Sequence, residues 1–265
     1  MEIGAEETLA FASMVPASPV DKKRAAWGNI VMETSDEVIF LLDVDNTLLD
    51  NDRIIADLDR HLSDEIGFDF RDRYWRIFDS LRAEQGYTDY LGVLQRCRMS
   101  AMNDPRLLLV SSYLMDYPFS DRLYPGALDV IEHLQNRGPT VILSDGDLVL
   151  QPRKIQRSGI WDAARGRILL CVHKEQRLDE ISHRYPAEHY IVVDDKLRIL
   201  SAMKAQMKDR LTTVFPRQGR YALDPEVVST YPPADLSIER VSDLLAPAIL
   251  PLDSSQSPSE TTSQP

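Results

Sequence analysis

The chain alternates between short apolar runs and segments in which apolar residues recur at helical spacing. The apolar runs predict β-strands and cover residues 38–42, 140–144, 168–172, 190–193 and 211–215. The spacing of Leu128, Ile131 and Leu134 predicts one helix, and further helices are expected at about 152–158, 176–185 and 197–207. This order predicts an α/β fold whose core is a Rossmann-like, doubly wound parallel sheet with helices on both faces.

A segment of roughly 100 residues separates the first predicted strand from the second, which is too many for a loop in a compact domain. Apolar residues in this segment recur at helical spacing, at Ile55-Leu58-Leu62-Ile66, Tyr74-Phe78-Leu81, Leu91-Leu94-Cys97 and through 107–115. We therefore expect an α-helical insert at about 55–120 within a core made of residues 36–54 and 121–250.

The two ends of the chain carry no such patterns. Pro16, Pro19 and Gly28 interrupt any helix near the start, so residues 1–35 are expected to form a poorly ordered extension. Residues 251–265 are rich in Ser, Pro, Thr and Gln and are predicted to be a disordered tail.

Two aspartates, Asp43 and Asp45, follow the first predicted strand directly. Burying a bare carboxylate is costly unless a cation or hydrogen-bond donors compensate, so this pair indicates a site that concentrates charge. Mg²⁺ prefers oxygen ligands and usually keeps a place for a substrate phosphate, which suits a site with few protein carboxylates. One carboxylate is then available as a nucleophile and the other for proton transfer.

Other polar residues follow later predicted strands. Ser144 ends the second strand, and Asp194 with Asp195 follows the fourth. Because ligands of such sheets bind at the carboxyl ends of the strands, we expect these side chains and Asp43 to converge.

These residues resemble the signatures of the haloacid dehalogenase superfamily, whose members are mostly Mg²⁺-dependent phosphatases. Asp43-Val44-Asp45-Asn46-Thr47 is similar to its first signature, Asp-x-Asp-x-Thr. Ser144, Lys174 before a helical stretch, and Asp194-Asp195 follow in the order of the other three signatures. The resemblance covers roughly residues 38–216.

The resemblance implies a role for each residue. Asp43 attacks phosphorus and forms a phosphoaspartyl intermediate, and Asp45 protonates the leaving group and later activates water. Ser144 and Lys174 bind the phosphoryl oxygens, although Lys154 and Lys196 are alternatives to Lys174. Mg²⁺ is held by the Asp43 carboxylate, the Asp45 backbone carbonyl and an acid of the Asp194-Asp195 pair. Within that pair Asp195 is favoured as the direct ligand and Asp194 as an indirect one, and the reverse assignment stays open.

The predicted function is hydrolysis of a small phosphorylated metabolite, with the insert at 55–120 acting as a cap that opens and closes over the site. The alternatives are a phosphomutase or another phosphoryl-transfer enzyme, a haloacid dehalogenase, or a non-catalytic binding protein. Dehalogenases attack carbon and do not need the second acid, so Asp45 argues against that activity. The cap holds arginines and aromatic residues that offer recognition of a second anionic group or a ring, but the sequence does not identify the substrate.

Charge and composition limit the binding partners and the location that we expect for the protein. A net charge of −12 disfavours nucleic acid and anionic membranes, and no apolar stretch reaches the roughly 20 residues that span a bilayer. Cys97 and Cys171, both in apolar surroundings, are expected to be reduced, and the start of the chain is acidic where a secretory signal would be basic. We therefore expect a cytoplasmic protein; the sequence leaves its oligomeric state open.

Overall fold

The computed structural model describes residues 36–100 and 103–250. The expected extension at 1–35 and the expected tail at 251–265 both lie outside the described residues, and both remain predictions. Within the described residues, no helix combines the length and apolarity that crossing a membrane requires.

The core is a six-stranded parallel sheet in the order β3-β2-β1-β4-β5-β6. Its strands are β1 (Asp36–Leu42), β2 (Thr140–Asp145), β3 (Ile168–Cys171), β4 (Ala187–Val193), β5 (Leu211–Pro216) and β6 (Leu236–Ile238). In β1, Phe40 lies opposite Thr140 of β2 on one side and Ile191 of β4 on the other. The α/β prediction is confirmed. The apolar stretches 39–42, 141–143 and 190–193 of the three central strands are buried, as expected for a parallel sheet covered on both faces.

In the part of the chain that the structure describes, seven α-helices outside the cap region belong to the same core as the sheet. They are α5 (Ala127–Gln135), α6 (Leu150–Arg157), α7 (Ile160–Ala163), α8 (Leu178–Arg184), α9 (Leu197–Met207), α10 (Gly219–Leu223) and α11 (Pro225–Ser229). α6 begins two residues before its predicted start because Asp147 Oδ1 accepts hydrogen bonds from the backbone N–H groups of Val149 and Leu150. The helix expected at 176–185 begins later, at Leu178, because Lys174–Gln176 form a separate 3₁₀ turn.

The segment between β1 and β2 is α-helical, with α1 (Asn51–His61), α2 (Phe68–Gln85), α3 (Tyr90–Ser100) and α4 (Arg106–Asp116). The four helices bury their own apolar cluster, in which Leu58, Phe70, Tyr74 and Val93 are fully buried. The fold therefore has the inserted helical cap that the sequence predicts. Its exact boundaries, 55–120, stay a prediction.

Two connectors join the cap to the core, and they lie side by side. Leu49 and Leu123 form an antiparallel bridge, the Asp50 N–H donates to the Arg122 carbonyl at 2.7 Å, and the Tyr124 N–H donates to the Leu48 carbonyl at 2.9 Å. Above them, Asp57 Oδ2 accepts hydrogen bonds from Arg122 Nη2 at 2.6 Å and Nε at 2.9 Å. Asp57 of α1 thus ties the start of the cap to its end.

Replacing Asp57 should therefore destabilise the protein. Burial opposes ionisation of Asp57, but hydrogen bonds from Tyr117 and Arg122 and the charge of Arg122 outweigh it and hold its pKa below the usual value. Asp57→Asn should lower the free energy of unfolding at pH 7 by about 1–3 kcal/mol, as expected for hydrogen bonds to a charged group.

The pH dependence of this loss gives a second test by urea unfolding. A carboxylate with a depressed pKa stabilises the fold above its unfolded pKa, about 4, and loses that contribution as the pH falls further. The difference between wild type and Asp57→Asn should therefore shrink below about pH 4. Asp116→Asn, which removes an exposed surface pair with Arg153, is the matched control and should change stability by less than about 0.5 kcal/mol. A loss at pH 7 no larger than the control's would contradict this role of Asp57.

Candidate active site

The first aspartate pair lies where β1 ends in a tight loop. The Asp43 N–H donates to the Val193 carbonyl at 3.0 Å, so Asp43 still pairs with β4 beyond the end of β1. The chain then turns back, with the Leu48 and Leu49 N–H groups both donating to the Val44 carbonyl at 2.9 Å. Thr47 fastens this loop to the end of β4, because its Oγ1 accepts a hydrogen bond from the Asp195 N–H at 3.1 Å.

Three carboxylates meet at this edge of the sheet. Asp43, Asp194 and Asp195 each offer an oxygen, and these oxygens all lie within 4.8 Å of one another. All three residues are buried, at 3%, 0% and 1% exposure. Parallel pairing of β1 with β4 explains the meeting, since both strands end at the same edge.

Lys174 lies against two of these carboxylates. Its Nζ is 2.7 Å from Asp194 Oδ2, forms a short contact with Asp43 Oδ1, and donates to the Leu143 carbonyl at 3.1 Å. Burial opposes the charged ammonium, but Asp194 and Asp43 outweigh it and raise the pKa of Lys174. The backbone N–H of Lys174 donates to Asp145 Oδ1 at 2.9 Å, which fixes the lysine beside the end of β2.

The members of the Asp194-Asp195 pair differ in their partners. Asp194 Oδ1 accepts from the Lys196 N–H at 2.8 Å and its Oδ2 is paired with Lys174, so both oxygens are engaged. Neither Asp195 oxygen has a hydrogen-bond donor among the described residues, and the same holds for Asp43 Oδ2. Burial raises the pKa of Asp195 well above its usual value. Lys196 Nζ stays 3.7 Å from Asp195 Oδ1.

Asp45 has a lysine of its own. Lys154 of α6 is 1% exposed, and its Nζ donates to Asp45 Oδ1 at 2.7 Å and to Asn51 Oδ1 at 3.1 Å. The three lysines weighed from the sequence therefore all reach this region, each at a different carboxylate. Lys174 contacts Asp43 and Asp194, Lys154 contacts Asp45, and Lys196 lies nearest Asp195.

Ser144 lies at the end of β2, which neighbours β1. Its Oγ accepts a hydrogen bond from Gln151 Nε2 of α6 at 2.9 Å, and the residue is 1% exposed. Sequence reasoning missed Gln151, which no local pattern indicates. It also missed Asp145, although an acid directly after Ser144 at a strand end was a signal of the same kind as Asp43.

Comparison with known proteins gives the family. No protein-family model and no curated protein matches the sequence. Among solved structures, a haloacid dehalogenase-like hydrolase from Burkholderia xenovorans LB400 is 59% identical, with a TM-score of 0.77. That match covers 79% of this chain and 98% of the other.

Two more distant structures share the fold. The HAD-hydrolase YfnB from Bacillus subtilis, bound to magnesium, is 19% identical over 79% of this chain and 97% of its own, with a TM-score of 0.52. L-2-haloacid dehalogenase from Xanthobacter autotrophicus, with chloropropionic acid covalently bound, is 16% identical over the same shares, with a TM-score of 0.51. The identity to the Burkholderia protein over most of both chains shows that this chain belongs to the haloacid dehalogenase-like hydrolases.

Proposed function

We propose that this hydrolase is a Mg²⁺-dependent phosphatase that hydrolyses a small phosphorylated metabolite through a phosphoaspartyl intermediate on Asp43. The observation that carries the proposal is the buried carboxylate cluster beside Lys174, with the second acid, Asp45, two residues beyond Asp43.

The cluster fits a divalent cation. Three carboxylates lie beside two ammonium groups, Lys174 and, 3.7 Å from Asp195, Lys196, which leaves one negative charge. Asp43 Oδ2, Asp194 Oδ2 and both Asp195 oxygens accept no hydrogen bond from the described residues, but Asp194 Oδ2 is paired with Lys174 Nζ at 2.7 Å. A hard cation with oxygen ligands would engage the oxygens of Asp43 and Asp195. Asp43 and Asp195 would therefore hold Mg²⁺ directly together with the Asp45 carbonyl, and Asp194, already committed to Lys174, would act indirectly. When bound, Mg²⁺ would supply positive charge to the phosphoryl oxygens.

The arrangement of the side chains supports the proposal of phosphoryl transfer. Lys174 fixes Asp43 through Oδ1, and no described residue donates a hydrogen bond to Asp43 Oδ2. Gln151 donates to Ser144 Oγ, which leaves the Ser144 O–H free to donate to a phosphoryl oxygen. Lys154 orients the Asp45 carboxylate, whose side chain is 21% exposed and thus more accessible than Asp43 to a leaving group. Asp45 would give a proton to the leaving oxygen and later take one from water.

Asp43→Asn tests the nucleophile. Because an amide oxygen does not form the phosphoaspartyl bond, the variant should hydrolyse 4-nitrophenyl phosphate with Mg²⁺ at least about 10³-fold more slowly than wild type. Phosphate release should be measured on the same ester and on a panel of phosphorylated metabolites, with and without Mg²⁺. Asp162→Asn, at an exposed carboxylate on α7, is the control and should keep the wild-type rate.

Retained turnover in Asp43→Asn would refute the nucleophile assignment. Chloride release from 2-haloacids without any phosphate release would replace the phosphatase with a dehalogenase. Movement of a phosphate between positions of one substrate would indicate a mutase.

Asp195→Asn tests the metal site without a turnover assay. Mg²⁺ should raise the thermal unfolding temperature of wild type, because a ligand that binds the folded state stabilises it. The variant should need at least about tenfold more Mg²⁺ for the same shift. Glu188→Gln, at an exposed position on the same strand β4, should respond as wild type does. Equal Mg²⁺ midpoints for Asp195→Asn and wild type would exclude Asp195 as a ligand.

Asp45→Asn tests proton transfer. A proton donor matters most when the leaving oxygen is strongly basic, so the loss should be about 10²–10⁴-fold on alkyl phosphates and clearly smaller on 4-nitrophenyl phosphate. Rates on a series of esters with graded leaving-group pKa values measure this directly. A loss of equal size across the series would remove Asp45 from that role.

A further inference from the structure

Arg82 of α2 in the cap is half-buried but forms no ion pair with the described carboxylates. Arg71, Arg73 and Arg96 form ion pairs with Asp59, Asp104 and Glu84 of the cap. Arg76 and Arg98 are exposed to solvent.

Arg82 instead reaches across to the core and meets Tyr221 of α10. Its Nη2 donates to the Tyr221 hydroxyl oxygen, and its guanidinium carbon is 5.5 Å from the centre of the ring. Arg220 Nη2 donates to the same oxygen at 3.3 Å, and its guanidinium carbon is 5.0 Å from the ring centre. Two guanidinium groups, one from the cap and one from the core, therefore converge on one neutral oxygen.

Of the two guanidinium groups, only that of Arg82 lacks an ion-pair partner among the described residues. Arg220 Nε lies 3.5 Å from Asp52 Oδ1, which compensates one guanidinium. Lys196 Nζ lies 5.8 Å from the centre of the Tyr221 ring, but its charge is paired with Asp195 Oδ1 at 3.7 Å. Guanidinium groups bind carboxylates and phosphates in a two-pronged geometry, so a pair held this way is suited to an anion.

The arginine pair lies at the rim of the candidate active site. The loop before Arg220 packs on the first signature, since a Cβ at Gly219 would come within 2.5 Å of Asn46 Cβ, and Gly219 has φ +71°. Lys196 lies between the arginine pair and the carboxylate cluster, because its Nζ is near the Tyr221 ring and 3.7 Å from Asp195 Oδ1.

A cavity of about 380 Å³ opens beside the arginine pair. Its lining includes Arg82 and Arg220 together with Trp75 and Phe78 of α2. Asp52, Asp59 and Asp79 also line it, and the first two are paired with Arg220 and Arg71. It thus offers cations next to apolar side chains that could cover a carbon skeleton.

We propose that Arg82 and Arg220 bind a second anionic group of the substrate, a carboxylate or a second phosphate, where the Tyr221 hydroxyl now accepts their hydrogen bonds. The inference rests on the proposed phosphatase function and specifies its substrate class, phosphate esters that carry a further negative charge. A chain with a net charge of −12 repels such a substrate on average, so its recognition needs local cations of this kind.

The test compares three series of esters with Mg²⁺: alkyl phosphates ending in a carboxylate, in a second phosphate, or in an uncharged group, each with two to five carbons. Wild type should turn over at least one charged ester with a kcat/KM about tenfold or more above its uncharged counterpart. Arg82→Gln should lower kcat/KM for that ester by about 10–100-fold and for the uncharged ester by less than about twofold. Arg96→Gln, which removes a cap charge paired with Glu84, should leave the preference intact.

The series that responds to Arg82→Gln identifies the anion as a carboxylate or a phosphate. No preference for a charged end in wild type, or equal losses on charged and uncharged esters in Arg82→Gln, would overturn the inference. Arg220→Gln provides a second variant from the core side and should reduce the same preference.

A binding measurement separates this inference from the proposed function. In the Asp43→Asn background with Mg²⁺, calorimetry should show tighter binding of the charged ester, lost on adding Arg82→Gln. Equal dissociation constants for charged and uncharged esters would refute the subsite even if phosphate is released. Tighter binding of the charged ester without Mg²⁺-dependent hydrolysis of any ester by wild type would support the subsite and refute the phosphatase.

Discussion

The buried ammonium of Lys174 is the constraint on which the site depends. At 2.7 Å from Asp194 and in short contact with Asp43, it is attracted to each carboxylate by roughly 6 kcal/mol in a medium of effective dielectric constant about 20. The desolvation of each buried ion costs several kcal/mol, so one lysine between two carboxylates stabilises a pair that would otherwise be costly to bury. Lys174 forms no ion pair with Asp195, whose oxygens accept no hydrogen bond from the described residues and whose paired ammonium, Lys196 Nζ, is 3.7 Å away. The structure thus concentrates unbalanced negative charge at one point, where a functional cation is the simplest physical explanation.

The backbone brings these charges together with little irregular structure. Asp43 and Asp194 follow neighbouring parallel strands, and the Asp195 N–H donates to Thr47 of the first loop. Lys174 follows β3 at the edge of the sheet, where His173 has φ 58° and the Lys174 N–H is held by Asp145. A long side chain then spans the remaining distance to the centre of the sheet. Rigid strand ends therefore supply the carboxylates, and a turn supplies the cation.

Much of this arrangement could be predicted from the sequence because its signals are local. The apolar run that ends in Asp43 identifies a buried strand, and four polar positions after strands predict a common edge. β6 was missed because its three residues, with a serine in the middle, are too short for a pattern. The pairing of Asp45 with Lys154 spans 109 residues, and that of Arg82 with Tyr221 spans 139. No spacing along the chain encodes such contacts, because the first depends on how α6 packs beside the loop after β1 and the second on how the cap packs on the core.

Polar groups of the cap contact the candidate active site and its surroundings at two places. Asn51, the first residue of α1, accepts a hydrogen bond from Lys154 Nζ, and its Nδ2 is 3.5 Å from the Tyr90 hydroxyl oxygen of α3. The ammonium that orients Asp45 therefore also contacts the cap. Arg82 makes the second contact, at Tyr221 beside Lys196. Because Asp43, Ser144 and Lys174 are almost completely buried, a substrate reaches them only if these contacts loosen. A phosphate ester with a second anionic group would replace the Tyr221 hydroxyl at Arg82 with a charged acceptor, which binds a guanidinium more strongly. Binding of such a substrate would therefore favour the closed arrangement, in which Lys154 holds Asp45.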